Sequence, residues 1–192
     1  MRVCLPSQMN RLGDRCMYEH AMAEGFNRLA PAVQQFHRLA GHHTLHGQVE
    51  VHAAKSLPAK LLALLLGTPR SASEGAIRFE LDAHPRAEKW TRHFPSKTMS
   101  SHLQLIDGRL VERLGAARLI FELNEHEGQL NMHLCRLYFL GIPCPAWLMP
   151  RVIAEESGCD GRIYFHVRAE VPGVGLVAGY QGYLALPEEA DA

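Results

Sequence analysis

The stretch GHHTLHGQVEVH, from Gly41 to His52, gathers four of the chain's twelve histidines around one carboxylate: His42, His43, His46, His52 and Glu50. Imidazole and carboxylate together are the donors of zinc and iron sites. Spacing argues against that chemistry. The stretch alternates like a strand, with His46, Gln48, Glu50 and His52 on one face and Leu45, Gly47, Val49 and Val51 on the other. On an extended chain His46 and His52 stand roughly 20 Å apart, and His42 and His46 about 13 Å. Neither pair reaches a common ion, whose bonds to nitrogen are about 2 Å long. No H-E-x-x-H or facial-triad spacing occurs elsewhere. The stretch reads as the solvated face of a strand, no metal is expected, and a pairing of His42 with a distant ligand is the alternative left open.

Other reactive groups give weaker patterns. No G-x-S-x-G marks a serine nucleophile. Cys135 and Cys144 have many histidines to pair with, and spacing selects none of them. The G-x-G of Gly173 to Gly175 is followed by alternating strand sequence rather than a helix, so it reads as a tight turn and not as a dinucleotide site. Glu155 and Glu156 lie close after Arg151 and read as a surface ion pair. No cofactor is expected.

Two arginines carry more information. In AEKWTRHF the face of Trp90 also holds Glu88, Arg92 and Phe94. In LNMHLCRLYF the apolar set Leu130, Met132 and Leu134 continues, by strict alternation, to Arg136 and Tyr138. An arginine on an apolar strand face either snorkels at the strand end, pairs internally, or presents its planar donors to a ligand anion. On the ligand reading Arg92 and Arg136 are the anchors, with Trp90, Phe94, Tyr138 and Tyr180 as the wall.

These residues need a sheet to bring them together. APAVQQFHRLAG predicts a helix with Pro31 in its first turn and Gly41 ending it. SLPAKLLALLLG predicts a second, capped by Ser56 and stopped by Gly67, with leucines nearly all round. From residue 76 onward the apolar period changes to two: Ile77, Phe79, Leu81; Leu119, Phe121, Leu123; Leu130, Met132, Leu134; Ile163, Phe165, Val167. Asp107-Gly108 and Asp160-Gly161 are type I′ hairpin dipeptides, and Glu127-Gly128 is a further turn signal. GIPCPAWLMP, with Pro143, Pro145 and Pro150, predicts a stiff irregular connection in which Trp147, Leu148 and Met149 form an entrance lip or plug one end. Short turns join antiparallel neighbours, and a long meander closes to avoid exposed edges. The expected fold is mainly β: an antiparallel meander forming a closed or partly open barrel of about 8–10 strands, with two short N-terminal helices.

The whole-chain totals fit this. A length of 192 residues suits one domain, here residues 25–192, behind a loose N-terminal extension over residues 1–24 with no clear period. Met17 or Met22 is an alternative start within that extension. Twenty basic and twenty acidic side chains leave no excess to track a phosphate backbone, so no nucleic acid is expected. Five scattered cysteines without a C-x-x-C argue against a disulfide framework and for a reducing, cytoplasmic setting. The longest apolar run, LPAKLLALLL, is too short to span a bilayer.

Four stretches, LAPAVQQFHRLAG, the W-x-R-x-F of Trp90 to Phe94, GIPCPAWLMPR and PGVGLVAGYQGYL, resemble a bacterial family of unknown function, domain-of-unknown-function family 4166. The resemblance covers about residues 29 to 187 and transfers no catalytic residue. It implies a domain found alone or behind a saccharopine-dehydrogenase-like Rossmann domain, and hence a dehydrogenase-like protein as a partner. Three functions follow as expectations. The first is a barrel holding a small apolar or amphipathic molecule with an acidic head. The second is an accessory domain docking on that oxidoreductase through Trp147, Leu148 and the leucine-rich helix. The third is an enzyme using a lumenal His166 or Tyr180 as acid or base.

Overall fold

The computed structural model describes residues 16–187. Eleven strands follow one another: β1 (Gly41–Val51), β2 (Ser73–His84), β3 (Ala87–His93), β4 (Thr98–Ile106), β5 (Arg109–Leu114), β6 (Ala117–His126), β7 (Gln129–Phe139), β8 (Ile142–Pro143), β9 (Arg151–Cys159), β10 (Arg162–Val171) and β11 (Gly175–Ala185). Consecutive strands pair antiparallel except β8 and β9, since β9 pairs with β7 instead, and β1 pairs with β11 to close the ring. The result is a closed ten-strand barrel, with the two-residue β8 hanging from the end of β7.

Turn chemistry sets the meander. Asp107-Gly108, Glu127-Gly128 and Asp160-Gly161 all have positive φ at both positions, as type I′ turns require. Closure needs glycine at one seam. A Cβ on Gly47 would run into the Tyr183 carbonyl, and one on Gly182 into that of Gln48, so β1 and β11 coil together only with both side chains absent.

The second seam is incomplete. Between β7 and β9 only Leu130–Glu156 and Asn131–Glu155 are paired. Beyond them the strands part, and β8 with the 3-10 turn Ala146–Leu148 borders the gap.

The barrel ends differ. At one end lie the starts of β1, β3, β5, β7 and β10. The N-terminal segment closes it: helix α1 (Met17–Met22), a 3-10 helix (Ala23–Arg28) and helix α2 (Pro31–Arg38). Met17, Tyr18 and Phe26 are fully buried, the Ala30 amide donates to the Gly128 carbonyl, and Arg28 pairs with Glu125. The loose extension expected over residues 1–24 is therefore corrected for its described part. Residues 17–24 are ordered by burying large apolar side chains, a tertiary cause that leaves no periodic mark in so short a segment. Residues 1–15 lie outside the described residues.

Helix α3 (Leu57–Leu66) crosses the opposite end, inserted between β1 and β2 rather than preceding the sheet. The Ser56 hydroxyl accepts from the Ala59 amide at 3.2 Å, and Gly67 ends the helix at φ 73°. Ala59 and Ala63 face inward, which lets the helix lie close on β11. The Ala116 amide donates to the Leu65 carbonyl and ties its C-terminus to the β5–β6 turn. No helix of the described residues is long and apolar enough to cross a membrane.

Candidate functional site

Strand alternation sends one face of every strand into the lumen, and between α3 and the N-terminal plug that face is not fully packed. A cavity of about 380 Å³ remains. Its wall is almost wholly apolar, including Met99, Leu103, Phe121, Met132, Val167 and Ala178. The parted β7 and β9 and the β8 segment give it a mouth.

Arg92 lines this space. Strand β3 turns Glu88, Trp90, Arg92 and Phe94 inward, as their shared face predicts, and all four are buried. The guanidinium lies 4.8 Å from the Trp90 ring centroid and 5.8 Å from that of Phe79. Its side-chain hydrogen bond among the described residues goes to the Ser101 hydroxyl, at 3.1 Å. No carboxylate of the described residues lies within ion-pair distance. Such a buried cation normally has an anionic partner, since desolvation costs several kcal/mol (order of magnitude). Tyr180 also points inward, its ring centroid 5.2 Å from Phe94, and burial raises its hydroxyl pKa.

Beside Arg92 lies a polar cluster. His37, on α2, meets Glu156, on β9, at 2.7 Å with both side chains buried. The Tyr18 ring covers the imidazole at 3.6 Å between centroids. Neither the Tyr18 hydroxyl nor His37 Nδ1 has a partner among the described residues, and burial holds the Tyr18 pKa well above its usual value. Glu88 accepts from the Trp90 indole N–H at 2.7 Å. Desolvation pushes its carboxyl up to about 7, against a smaller opposing pull from His37.

Four expectations need correction. Arg136 and Tyr138 do not face the lumen. Pairing of β6 with β7 slips between Ile120–Arg136 and Phe121–Leu134, so Cys135 is an extra, bulged residue. Past the bulge the faces exchange: Leu137 and Phe139 line the cavity, Arg136 is exposed, and Tyr138 packs under the Arg118 guanidinium at 4.2 Å. His166 is likewise outward, half exposed and 3.7 Å from Glu155. Glu156 is not part of a surface pair with Arg151, because its face of β9 looks inward onto His37. Sequence reading missed His37. A histidine in an amphipathic helix beside Phe36 carries no signal until α2 is seen docked on β9, where Ala32 and Val33 press on Gly158.

Residues 41–51 of GHHTLHGQVEVH form β1, with His46, Gln48 and Glu50 outward and Leu45, Val49 and Val51 in the core, and His52 follows the strand. Among the described residues no group of three potential ligands converges to hold a metal.

A closed antiparallel barrel with a largely apolar lumen that Arg92 lines is thus the architecture of this chain. By sequence the chain belongs to the family described as domain of unknown function DUF4166, whose profile matches residues 29–184. No curated protein matches it. Among solved structures it is similar to one titled the crystal structure of Rv2717c from M. tuberculosis. Identity is 12%, the match covers 83% of this chain and 99% of that one, and the TM-score is 0.45.

Proposed function

We propose that the protein holds a small apolar or amphipathic molecule in its lumen, with an acidic head group on Arg92. The supporting observation is the pairing of a largely apolar cavity with a buried guanidinium that forms no ion pair among the described residues. The volume falls in the range of small-ligand sites, about 300–1,000 Å³. An apolar wall supplies most of the affinity by area removed from water. Arg92 supplies orientation, because its fork of N–H donors matches a carboxylate or phosphate. Trp90 and Tyr180 flank the head group, and the parted seam between β7 and β9 is the way in. Arg136 and Tyr138, outside the barrel, play no part.

Titration with 11-(dansylamino)undecanoic acid and with its methyl ester tests this. The acid is expected to bind with enhanced dansyl emission, and the ester more weakly. Arg92→Met should weaken the acid roughly 10- to 100-fold, the worth of a charge-assisted hydrogen bond, and leave the ester unchanged. Arg136→Met, outside the lumen, should change neither. Equal binding of acid and ester, or equal loss of both in a folded Arg92→Met, sinks the assignment of Arg92 as the anchor. A docking role on a dehydrogenase-like protein draws on different residues, the exposed face of α3 and Trp147.

A further inference from the structure

The open end of the barrel differs chemically from the plugged end. Its five connections are residues 52–72, 94–97, 115–116, 140–150 and 172–174. They carry Lys55, Lys60, Arg70 and Lys97 and not one Asp or Glu, in a chain whose acidic and basic residues are equal in number. The strand ends beside the mouth add Arg113, Arg118, Arg136 and Arg151, all exposed. Arg113 and Arg118 are direct cross-strand partners, a like-charge pairing that costs stability unless an anion lies over it. None of these basic groups forms an ion pair among the described residues. The nearby acids are otherwise disposed: Glu112 lines the cavity, Glu170 is held by Arg168, Glu50 accepts from the Gln181 side-chain amide, and Glu74 is the cross-strand partner of Glu50 where β1 and β2 meet the connection that carries α3.

The same end is apolar where it is most exposed. Leu57, Leu61, Leu64 and Leu65 form one stripe on the outer face of α3, between 41% and 82% exposed. Around the mouth Ile142 is 70% and Trp147 76% exposed. Leu62 and Leu66, on the inner side of the same helix, line the cavity. A leucine stripe with an interfacial tryptophan and surrounding cations has the composition of a surface that enters the headgroup region of a membrane without spanning it.

We propose that this end docks on an anionic lipid bilayer, with α3 and Trp147 set into the interface and the basic strand ends over the headgroups. The mouth of the cavity then opens onto the bilayer surface.

Co-sedimentation of the full chain with phosphatidylcholine vesicles, with and without a phosphatidylglycerol fraction, tests the proposal. Binding is expected only with phosphatidylglycerol, falling with added salt. Each cation removed should cost about fivefold in partitioning, so Lys60→Ala with Arg70→Ala should lose roughly 25-fold. Leu61→Glu with Leu64→Glu should abolish binding while the thermal melt is unchanged, since both side chains are exposed. Absence of binding to the anionic vesicles overturns the proposal. So does binding indifferent to these variants, or a dimer in sedimentation velocity that Leu61→Glu dissolves, which would mean that a second copy covers the face. Vesicle binding reads the rim alone, so failure of the dansyl acid to enter the lumen leaves it standing.

Discussion

Replacing Glu88 by glutamine should stabilise the protein in a pH-dependent way. Glu88 is 5% exposed, on the inward face of β3 toward the plugged end, and accepts a hydrogen bond from Trp90 that a glutamine carbonyl oxygen can also accept. Its folded pKa of about 7 stands above the ordinary carboxyl value of 4.5 because burial disfavours the ion. Between those two values the folded chain holds a proton that the unfolded chain has lost. Stability must then fall as pH rises through this window, with the penalty absent below 4.5 and fully developed above about 7. At about 1.4 kcal/mol for each tenfold change in proton affinity, the difference amounts to roughly 3 kcal/mol at its upper bound. Glutamine cannot ionise and escapes it. Urea titration at pH 5 and pH 8 reads the effect directly. Glu88→Gln is expected to match the wild type at pH 5 and exceed it by about 1–3 kcal/mol at pH 8. An equal change at both pH values, or destabilisation at pH 8, would refute a desolvated, proton-binding Glu88.

Further expectations concern the plug. His37→Leu leaves the Glu156 carboxylate buried without its partner and should cost about 2–4 kcal/mol, whereas the double variant His37→Leu with Glu156→Leu should cost clearly less than the two single changes added together; a double-mutant cycle in urea checks this, and additive costs would contradict it. Gly158→Val should loosen α2 from β9, because a Cβ there would meet the Ala32 methyl at 2.8 Å; faster amide exchange in residues 31–38 is the readout. Trp147→Ala, at a side chain 76% exposed, should shift stability by no more than about 0.5 kcal/mol by thermal melting.

Much of this architecture is legible in the residues. Ser56, Pro58 and Gly67 mark both ends of α3, and the Asp-Gly dipeptides mark two hairpins, because caps and positive-φ turns are local chemistry. The inward face of β3 is equally plain, since Trp90 and Phe94 flank Arg92 at period two. Legibility ends where geometry is set by remote contacts. The bulge at Cys135 has no signature of its own, so alternation counted through it places Arg136 and Tyr138 on the wrong side. One inserted residue reverses every side chain beyond it. The N-terminal plug is silent for another reason: Met17, Tyr18 and Phe26 sit in helices of six residues each, too short to show a period, and their order comes from the lumen that they fill. His37 and Glu156 are 119 residues apart, and only closure of the barrel end makes them a pair.

The most direct test of a ligand-holding lumen is native mass spectrometry of the protein purified from its own host, with wild type and Arg92→Met compared. A discrete adduct on the wild type that carries an acidic group and is depleted in Arg92→Met is the predicted result. An adduct-free spectrum for the wild type, or an adduct retained in full by Arg92→Met, would contradict the account.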